Sequence, residues 1–183
     1  MEGKNKQKIL KIAEAFEKYF KQFGFKKTSV DEVAKELKIS KKTIYQHFSS
    51  KEKIFYYLVS RVAEKYAAKM NKKLDKHQTA EGKLHDMVSQ IFQETRRWLK
   101  SGNDAFEFRY KYDIAQLAFK EAYNKVIADI IAEGIEQKEF QDGEIKYKVS
   151  MINGIFSETM KHFAVNPDED YRIVADSIIK LLK

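Results

Sequence analysis

The segment from Thr28 to Phe55 constrains this chain most, because it fits two short helices, a tight turn and the start of a third helix into one short stretch. Ser29 and Glu32 have the spacing of a capping box, and apolar residues follow at helical intervals. That pattern breaks just before Ser40, which is placed to cap a second helix. The segment therefore predicts a helix-turn-helix.

The second helix of this segment has two contrasting faces. Ile44 and Phe48 lie four residues apart and form a narrow apolar stripe that must be buried. The opposite face carries hydrogen-bond donors, which suit a nucleic acid, since the second helix of such a motif enters the major groove. An ordinary amphipathic helix pair with a solvated, lysine-rich side produces the same bare pattern, so that alternative stays open at this point.

Short matches to a family pattern run along the segment and its flanks. They are Phe23-Gly24-Phe25, Thr28, Val33-Ala34, Ile39-Ser40, Thr43-Ile44-Tyr45, His47-Phe48 and Ser50-Lys51-Glu52. In order and spacing they resemble the DNA-binding domain of the TetR/AcrR transcriptional regulators. Lys38 and Lys42 depart from the family pattern, which usually has glycine in the turn and often has glycine in the recognition helix. A lysine at a turn position that favours positive φ costs about 1 kcal/mol.

The polar face and the resemblance together indicate which side chains contact DNA. Lysine donates to guanine and glutamine pairs with adenine, so base contacts are expected from the exposed side of the second helix. The candidates for base contacts are Lys41, Lys42, Thr43 and Gln46. The candidates for phosphate contacts are Thr28, Ser29, Tyr45, His47 and Lys51.

Charge is distributed unevenly along the chain. Residues 1–76 contain 20 Lys and Arg against 9 Asp and Glu, a net charge of +11, whereas residues 77–183 contain 15 against 18, a net charge of −3. The basic part is the part with the motif, and a positive face that neutralises phosphates binds DNA more weakly as salt increases. Two alternatives are that the lysines keep the domain soluble, or that they attract an anionic membrane surface.

Composition restricts the class of protein further. The chain has no cysteine and no apolar run of about 18 residues, and its start lacks the apolar block of a signal peptide. We therefore expect a cytoplasmic protein without disulfides or a membrane span. His77, Glu81 and His85 recur every four residues, but Gly82 and polar neighbours favour solvated side chains over a metal pair. No catalytic motif is present, so we expect no enzyme, no metal and no cofactor.

Helical periodicity predicts an all-α fold of about nine helices. Residues 1–50 are expected to form the helix-turn-helix domain, and residues 51–183 a larger helical domain for ligand binding and dimerisation. A long fourth helix from Lys51 to about residue 76 links the two. Its apolar stripe is expected to contain Ile54, Phe55, Leu58, Val62 and Tyr66. Residues 105–119 are expected to form one or two short helices, separate from a helix over 121–138.

The last third of the chain predicts a subunit interface. The helices over 121–138 and 144–163 have apolar residues on more than one stripe, and a second apolar face needs a second partner. The residues expected there are Tyr123, Ile127, Ile130, Gly134, Ile152, Gly154, Ile155 and Phe156. A helix pair buried entirely within one chain is the alternative. The resemblance implies a homodimer formed by the last long helices as a four-helix bundle.

The resemblance also implies a pocket for a small molecule in the larger domain. Aromatic residues there either fill the core or line a cavity. Those expected to line it are Tyr57, Phe92, Trp98, Phe106, Tyr110 and Tyr123. The function that follows is a dimeric repressor that binds a palindromic operator and is released by a hydrophobic small molecule. The alternatives are a nonspecific or architectural DNA binder without an effector and, more distantly, an enzyme.

Overall fold

The described part of the chain folds into α-helices joined by turns. The computed structural model describes residues 2–100, 105–166 and 168–183, and the side chains of these residues except those of 2–4, 98–100, 105–112 and 164. Every regular element in this part is an α-helix, which confirms the predicted all-α class. The eight helices are α1 (Glu2–Lys27), α2 (Val30–Glu36), α3 (Lys41–Tyr45), α4 (Lys51–Leu74), α5 (Ala80–Lys100), α6 (Ala105–Glu136), α7 (Ile145–Val165) and α8 (Arg172–Leu182).

Helix α6 accounts for the difference between eight helices and the predicted nine. It continues without a break through the Phe119–Glu121 stretch, where separate helices were expected. That stretch contains no proline, glycine or capping residue, and lysine and glutamate favour helix, so nothing in the sequence ends the helix there. The prediction of a break was therefore wrong.

Two hydrophobic cores divide the chain, and α4 contributes to both. The first core joins α1, α2 and α3 to the first two turns of α4, with Ile54 fully buried. The second core joins α5 to α8 and receives Ala67, Met70 and Leu74 from the other end of α4. The predicted division between residues 50 and 51 falls at the start of α4, whereas the first core extends to Leu58. A single helix about 36 Å long thus connects the two cores.

The buried face of α4 differs from the predicted one. Periodicity extended the apolar stripe through Val62 and Tyr66, but these side chains are 46% and 42% exposed. The buried face instead passes through Ala63, Ala67 and Met70. Small alanine side chains allow another helix to approach closely, and here they take the place that larger residues were expected to fill. The exposed pair leaves an apolar strip on the outside of α4.

The corner between α1 and α2 depends on glycine. Gly24 has φ 79° and ψ 162°, a conformation that side chains disfavour, and it kinks α1 three residues before the helix ends. Its φ is positive, but its ψ is extended rather than left-handed helical. Thr28 closes the corner, because its backbone N–H and its hydroxyl both donate to the Gly24 carbonyl, at 3.3 and 2.8 Å.

The second core is braced by a half-buried ion pair. The Lys83 ammonium of α5 lies 2.6 and 2.7 Å from the two carboxylate oxygens of Glu133 on α6. Phe140, in the turn after α6, completes the core against this helix end and is 4% exposed. Among the described helices, none has the length and apolar composition needed to cross a membrane.

Candidate nucleic-acid interface

Serine side chains define the helix-turn-helix as predicted. Ser29 caps α2 and its hydroxyl accepts a hydrogen bond from the Asp31 N–H at 3.3 Å. Ser40 caps α3 and accepts from the Thr43 N–H at 3.0 Å. These bonds satisfy donors that a helix start leaves without an intrahelical partner, so each serine fixes where its helix begins.

The turn between α2 and α3 has the strain expected from its lysine. Lys38 has φ 54°, in the left-handed region that glycine adopts without cost. The turn is held by the Lys38 N–H, which donates to the Lys35 carbonyl at 3.1 Å, and by the Ile39 N–H, which donates to the Ala34 carbonyl at 3.0 Å. The surrounding bonds and the burial of the flanking helices maintain this conformation.

The apolar face of α3 is fixed in the first core. Ile44 is fully buried and Phe48 is 7% exposed, as predicted. The Phe48 ring packs against Tyr57 in an edge-to-face arrangement with a 5.5 Å centroid distance. Because these anchors set the rotation of α3, its opposite face is presented outward as a rigid surface.

The four base-contact candidates differ in their availability. The side chains of Lys42 and Gln46 are exposed on the outer face and make no hydrogen bond or ion pair to the described part of the chain. Lys41 donates to an Asp31 carboxylate oxygen at 2.9 Å, and the hydrogen bond to Asp31 raises the lysine pKa. The Thr43 hydroxyl is bonded to that of the capping Ser40 at 2.8 Å. An exposed ion pair contributes only about 0–1 kcal/mol, so Lys41 is readily transferred to another acceptor.

Two of the five phosphate candidates are used inside the protein. Thr28 is 3% exposed and its hydroxyl is bonded to Gly24, so a side-chain contact with phosphate is excluded in this arrangement. The Lys51 ammonium donates to the carbonyls of Phe25, Thr28 and Lys26 at 2.8, 3.1 and 3.3 Å. Neither side chain is free for a phosphate contact in this arrangement, because the fold brings together the residues that engage them.

The other three phosphate candidates remain accessible. Tyr45 is 42% exposed at the end of α3. His47 and Ser29 are half-buried, and the Ser29 hydroxyl, which accepts from a backbone N–H, still has its own proton to donate. With Lys42 and Gln46, these side chains surround the exposed side of the motif.

The aromatic residues expected to line a ligand pocket are divided between the two cores. Tyr57 packs against the first core rather than within the larger domain. Phe92 is fully buried, parallel to Tyr171 at 5.5 Å and edge-on to Phe163 at 4.9 Å. Three others fall on side chains outside the described residues: Trp98, Phe106 and Tyr110.

Tyr123 is part of an aromatic series between α4 and α6. Its ring stacks on Phe119 at 6.1 Å, and Phe119 lies 6.3 Å from Tyr66. Burial raises the pKa of Tyr123 to about 12, with smaller contributions from Tyr66 and Glu94. Val62 and Leu117, on the same two helices, are 46% and 48% exposed. We call the helix surfaces that carry Val62, Tyr66, Phe119 and Tyr123 the α4–α6 seam.

Most of the residues predicted for the subunit interface belong to the core of a single chain. Those buried there are Tyr123, Ile127, Ile130, Gly134 and Ile152. Gly134 allows close approach of Phe140 from the same chain, because an added Cβ would lie 2.2 Å from the ring. Burial within one chain contradicts a direct interface role for these five. Ile155 and Phe156 are half-buried against the core, whereas Gly154 is exposed.

The sequence predicted a second apolar face on α7, but of the residues assigned to it only Gly154 lies on the exposed face that the structure shows. It contains large apolar side chains at helical intervals on α7, continued on α8. They are Tyr147, Met151, Val165, Ile173 and Leu181, each 48–78% exposed. Gly154 lies between Met151 and Val165 with no atom within 4 Å of an added Cβ. The spacing of 147, 151 and 154 was present in the sequence, but the more strongly apolar buried stripe of α7 dominated the pattern.

Comparison with known proteins identifies the motif. A family model described as "Bacterial regulatory proteins, tetR family" matches residues 12–58. This match covers the helix-turn-helix and the first turns of α4, which is also the extent of the first core.

Similarity to known proteins extends beyond the motif. The chain is 26% identical over 188 residues to the fatty acid metabolism regulator protein of Bacillus subtilis (strain 168), covering 96% of this chain and 93% of that protein. Thermus thermophilus FadR, a TetR-family repressor solved with lauroyl-CoA, is 18% identical with a TM-score of 0.69, covering 95% and 92%. RolR solved with resorcinol is 12% identical with a TM-score of 0.73, covering 100% and 90%.

The two solved structures have the same fold as this chain along nearly its whole length, and the family model accounts for its DNA-binding segment. The full-length relative is itself a regulator. The chain is a TetR-family transcriptional regulator.

Proposed function

We propose that this regulator is a homodimeric repressor that binds a near-palindromic operator and is released by a long-chain fatty acyl-CoA. The proposal rests on a rigid α3, whose outer face holds free donors, and on a second helical core separate from it. Among the described helices, only α4 contributes residues to both cores. Such an arrangement separates DNA reading from effector binding while leaving one element to connect them.

Operator discrimination comes from the exposed end of α3. Lys42 and Gln46 read base edges, since an ammonium donates to guanine and an amide pairs with adenine. Lys41 joins them once it leaves Asp31, and Thr43 supplies a hydroxyl at the start of the helix. Tyr45, His47 and Ser29 bind flanking phosphates. These contacts position the DNA-binding unit built around the first core, which we call the head, without adding sequence preference.

The dimer forms through the exposed face of α7 and α8. This face presents Met151, Ile173 and Leu181 to solvent, each 48–68% exposed in a single chain. Gly154 allows a partner helix to approach closely at the centre of α7. A two-fold dimer of this kind places two copies of α3 on one side of DNA, and their separation must match successive major grooves, about 34 Å or a multiple of it.

The acyl-CoA binds at the α4–α6 seam. Val62 and Tyr66 provide exposed apolar area for an acyl chain. Arg61, Lys65 and Lys69 recur every four residues on α4 and provide cations for the phosphates of coenzyme A. The name of the Bacillus subtilis relative refers to fatty acid metabolism, and lauroyl-CoA is the ligand of Thermus thermophilus FadR. Both support this ligand class.

Effector binding at the seam acts on DNA through α4. Tyr56, one turn into α4, donates a hydrogen bond to the Glu121 carboxylate on α6, and this bond raises the tyrosine pKa. A ligand that separates α4 from α6 shifts the head through this helix. The shift releases DNA only if the ligand prefers the DNA-free arrangement, and operator must then weaken ligand binding by the same factor.

Fluorescence anisotropy of labelled operator tests the proposal. Lauroyl-CoA is expected to release operator, whereas coenzyme A alone and resorcinol are not. Val62→Glu places a charge in the seam and is expected to weaken the lauroyl-CoA effect by about tenfold or more. Ala68→Glu, at an exposed position on another face of α4, serves as the matched control and leaves the effect unchanged. Equal affinity for lauroyl-CoA with and without operator would contradict the mechanism.

The charge distribution favours one alternative, a nonspecific DNA binder without an effector. A net charge of +11 over residues 1–76 is sufficient for tight electrostatic binding to any sequence. Such a protein binds duplexes of all sequences with one affinity, and no acyl-CoA releases it.

A further inference from the structure

Lys51 is the first residue of α4, and its ammonium group is bonded to the backbone of another part of the head. The ammonium lies 2.8 Å from the Phe25 carbonyl, 3.1 Å from the Thr28 carbonyl and 3.3 Å from the Lys26 carbonyl. It also lies 4.6 Å from the centre of the Phe25 ring. A lysine has three N–H donors, so three carbonyl acceptors leave none for a phosphate.

The carbonyls that Lys51 binds belong to the corner between α1 and α2. The last carbonyls of a helix have no intrahelical partner, and a cation there also interacts favourably with the helix dipole. Phe25 is 2% exposed, and its ring packs against Phe20 at 5.1 Å and Phe55 at 5.5 Å. Thr28 immediately precedes the cap of α2. The corner is therefore a rigid unit that determines where α2 begins.

We propose that Lys51 is a positioning residue that fixes the start of α4 to the α1–α2 corner, and so sets the angle at which the head is held on α4. The angle matters because two heads in a dimer must meet successive major grooves. This inference rests on the dimeric operator binding proposed above.

The consequence of losing this residue differs from that of losing a phosphate contact. Without the Lys51 bonds the head is less constrained on α4, so the two recognition helices sample a wider range of separations. The protein then binds an operator with the native half-site spacing more weakly. It also discriminates less against operators whose spacing is one base pair longer or shorter. The salt dependence of binding is unaffected, because no phosphate charge is left without a partner.

Lys51→Met tests the proposal, with Lys42→Met as the matched control. Methionine keeps the unbranched stem but removes the charge and donors. Lys51→Met is expected to weaken operator binding about tenfold, to reduce the preference for native spacing by a similar factor, and to leave the salt slope unchanged. Lys42→Met is expected to reduce the magnitude of that slope by up to about 0.9, or to change base preference, while spacing preference is retained.

Binding is measured at a temperature where circular dichroism shows each variant fully folded. A residue that only stabilises the fold then leaves operator affinity and spacing preference unchanged, and that result overturns the proposal. A salt slope that decreases by about 0.9 in Lys51→Met also overturns it, because it indicates a phosphate contact. If wild type shows no preference for any half-site spacing, the dimeric operator model fails instead.

Amine labelling of wild type makes the test independent of whether the variant folds. With reductive methylation read by mass spectrometry, Lys51 is expected to react slowly both in free protein and in the operator complex. Lys42 is expected to react rapidly when free and to be protected by operator. Rapid labelling of Lys51 in free protein with protection on DNA would overturn the assignment.

Discussion

Gly134→Ala should destabilise the protein, although alanine normally favours a helix. An added Cβ at this position lies 2.2, 2.5 and 2.9 Å from three atoms of the Phe140 ring. Carbon atoms in contact are separated by about 3.5–4.0 Å, so the ring would have to move by more than about 1 Å. The Phe140 N–H donates to the Gly134 carbonyl at 3.0 Å and the Gln141 N–H to the Leu182 carbonyl at 2.7 Å, which restrains that movement.

The size of this effect follows from two opposing contributions. The clash costs about 3 kcal/mol, which is the upper end both for overpacking a core, at about 1–3 kcal/mol, and for displacing a buried phenylalanine, at about 1.5–3 kcal/mol. Replacing glycine by alanine in a helix contributes about 1 kcal/mol in the other direction. We therefore expect the free energy of unfolding to decrease by about 2 kcal/mol in Gly134→Ala.

Urea unfolding at constant protein concentration measures this difference. Gly154→Ala is the matched control on α7, because no atom of the same chain lies within 4 Å of its added Cβ. At a protein concentration low enough for unfolding to start from the monomer, it should not destabilise the chain. In a Phe140→Ala background the substitution at Gly134 should become neutral or stabilising, which isolates the ring as the cause. Unchanged or increased stability of Gly134→Ala with Phe140 present would refute the reasoning.

Three further predictions concern backbone strain, a buried phenol and the subunit interface. Lys38→Gly should raise the free energy of unfolding by about 0.5–1 kcal/mol, because φ is 54° at this position. Lys69→Gly, inside α4, is the control and should lower the free energy of unfolding by about 1 kcal/mol. Urea midpoints of the two variants distinguish these outcomes. Burial in the folded chain raises the pKa of Tyr123 from 10.0 to about 12. Between these two pH values the folded chain keeps the phenol proton that the unfolded chain loses. The free energy of unfolding should therefore fall as pH rises from about 10 to 12, and it should fall less steeply in Tyr123→Phe. Urea midpoints of both proteins at about pH 9 and about pH 11 measure this difference. Met151→Glu should shift sedimentation from dimer to monomer, and an unchanged dimer would exclude the exposed face of α7.

The local structure of the head was largely predictable from sequence. Serine at a helix start has a local function, so Ser29 and Ser40 identify the ends of helices without knowledge of the fold. The strain at Lys38 was predictable because the turn position itself requires positive φ. Burial of Ile44 and Phe48 followed from their spacing on one short helix.

The partners of individual side chains were not predictable in the same way. Lys51 binds carbonyls 23 to 26 residues away, and only the packed corner brings them together. Gly134 and Gly154 both stand in apolar helices, yet one meets a ring from its own chain and the other meets solvent. The buried stripe of α4 passes through Ala63 rather than Val62, since the closeness of a neighbouring helix, and not hydrophobicity alone, decides which residue fits.

Selection of genomic fragments by the purified protein at about 0.15 M salt tests the central claim most directly. Electrostatic binding alone does not depend on DNA sequence, so it would retain all fragments alike. The account predicts recovery of a few promoters that share an inverted repeat, with half-site centres separated by about one helical turn or a multiple of it. Their enrichment should disappear when lauroyl-CoA is added. Smooth enrichment of all fragments without a shared repeat would contradict the claim that this chain reads sequence as a dimer.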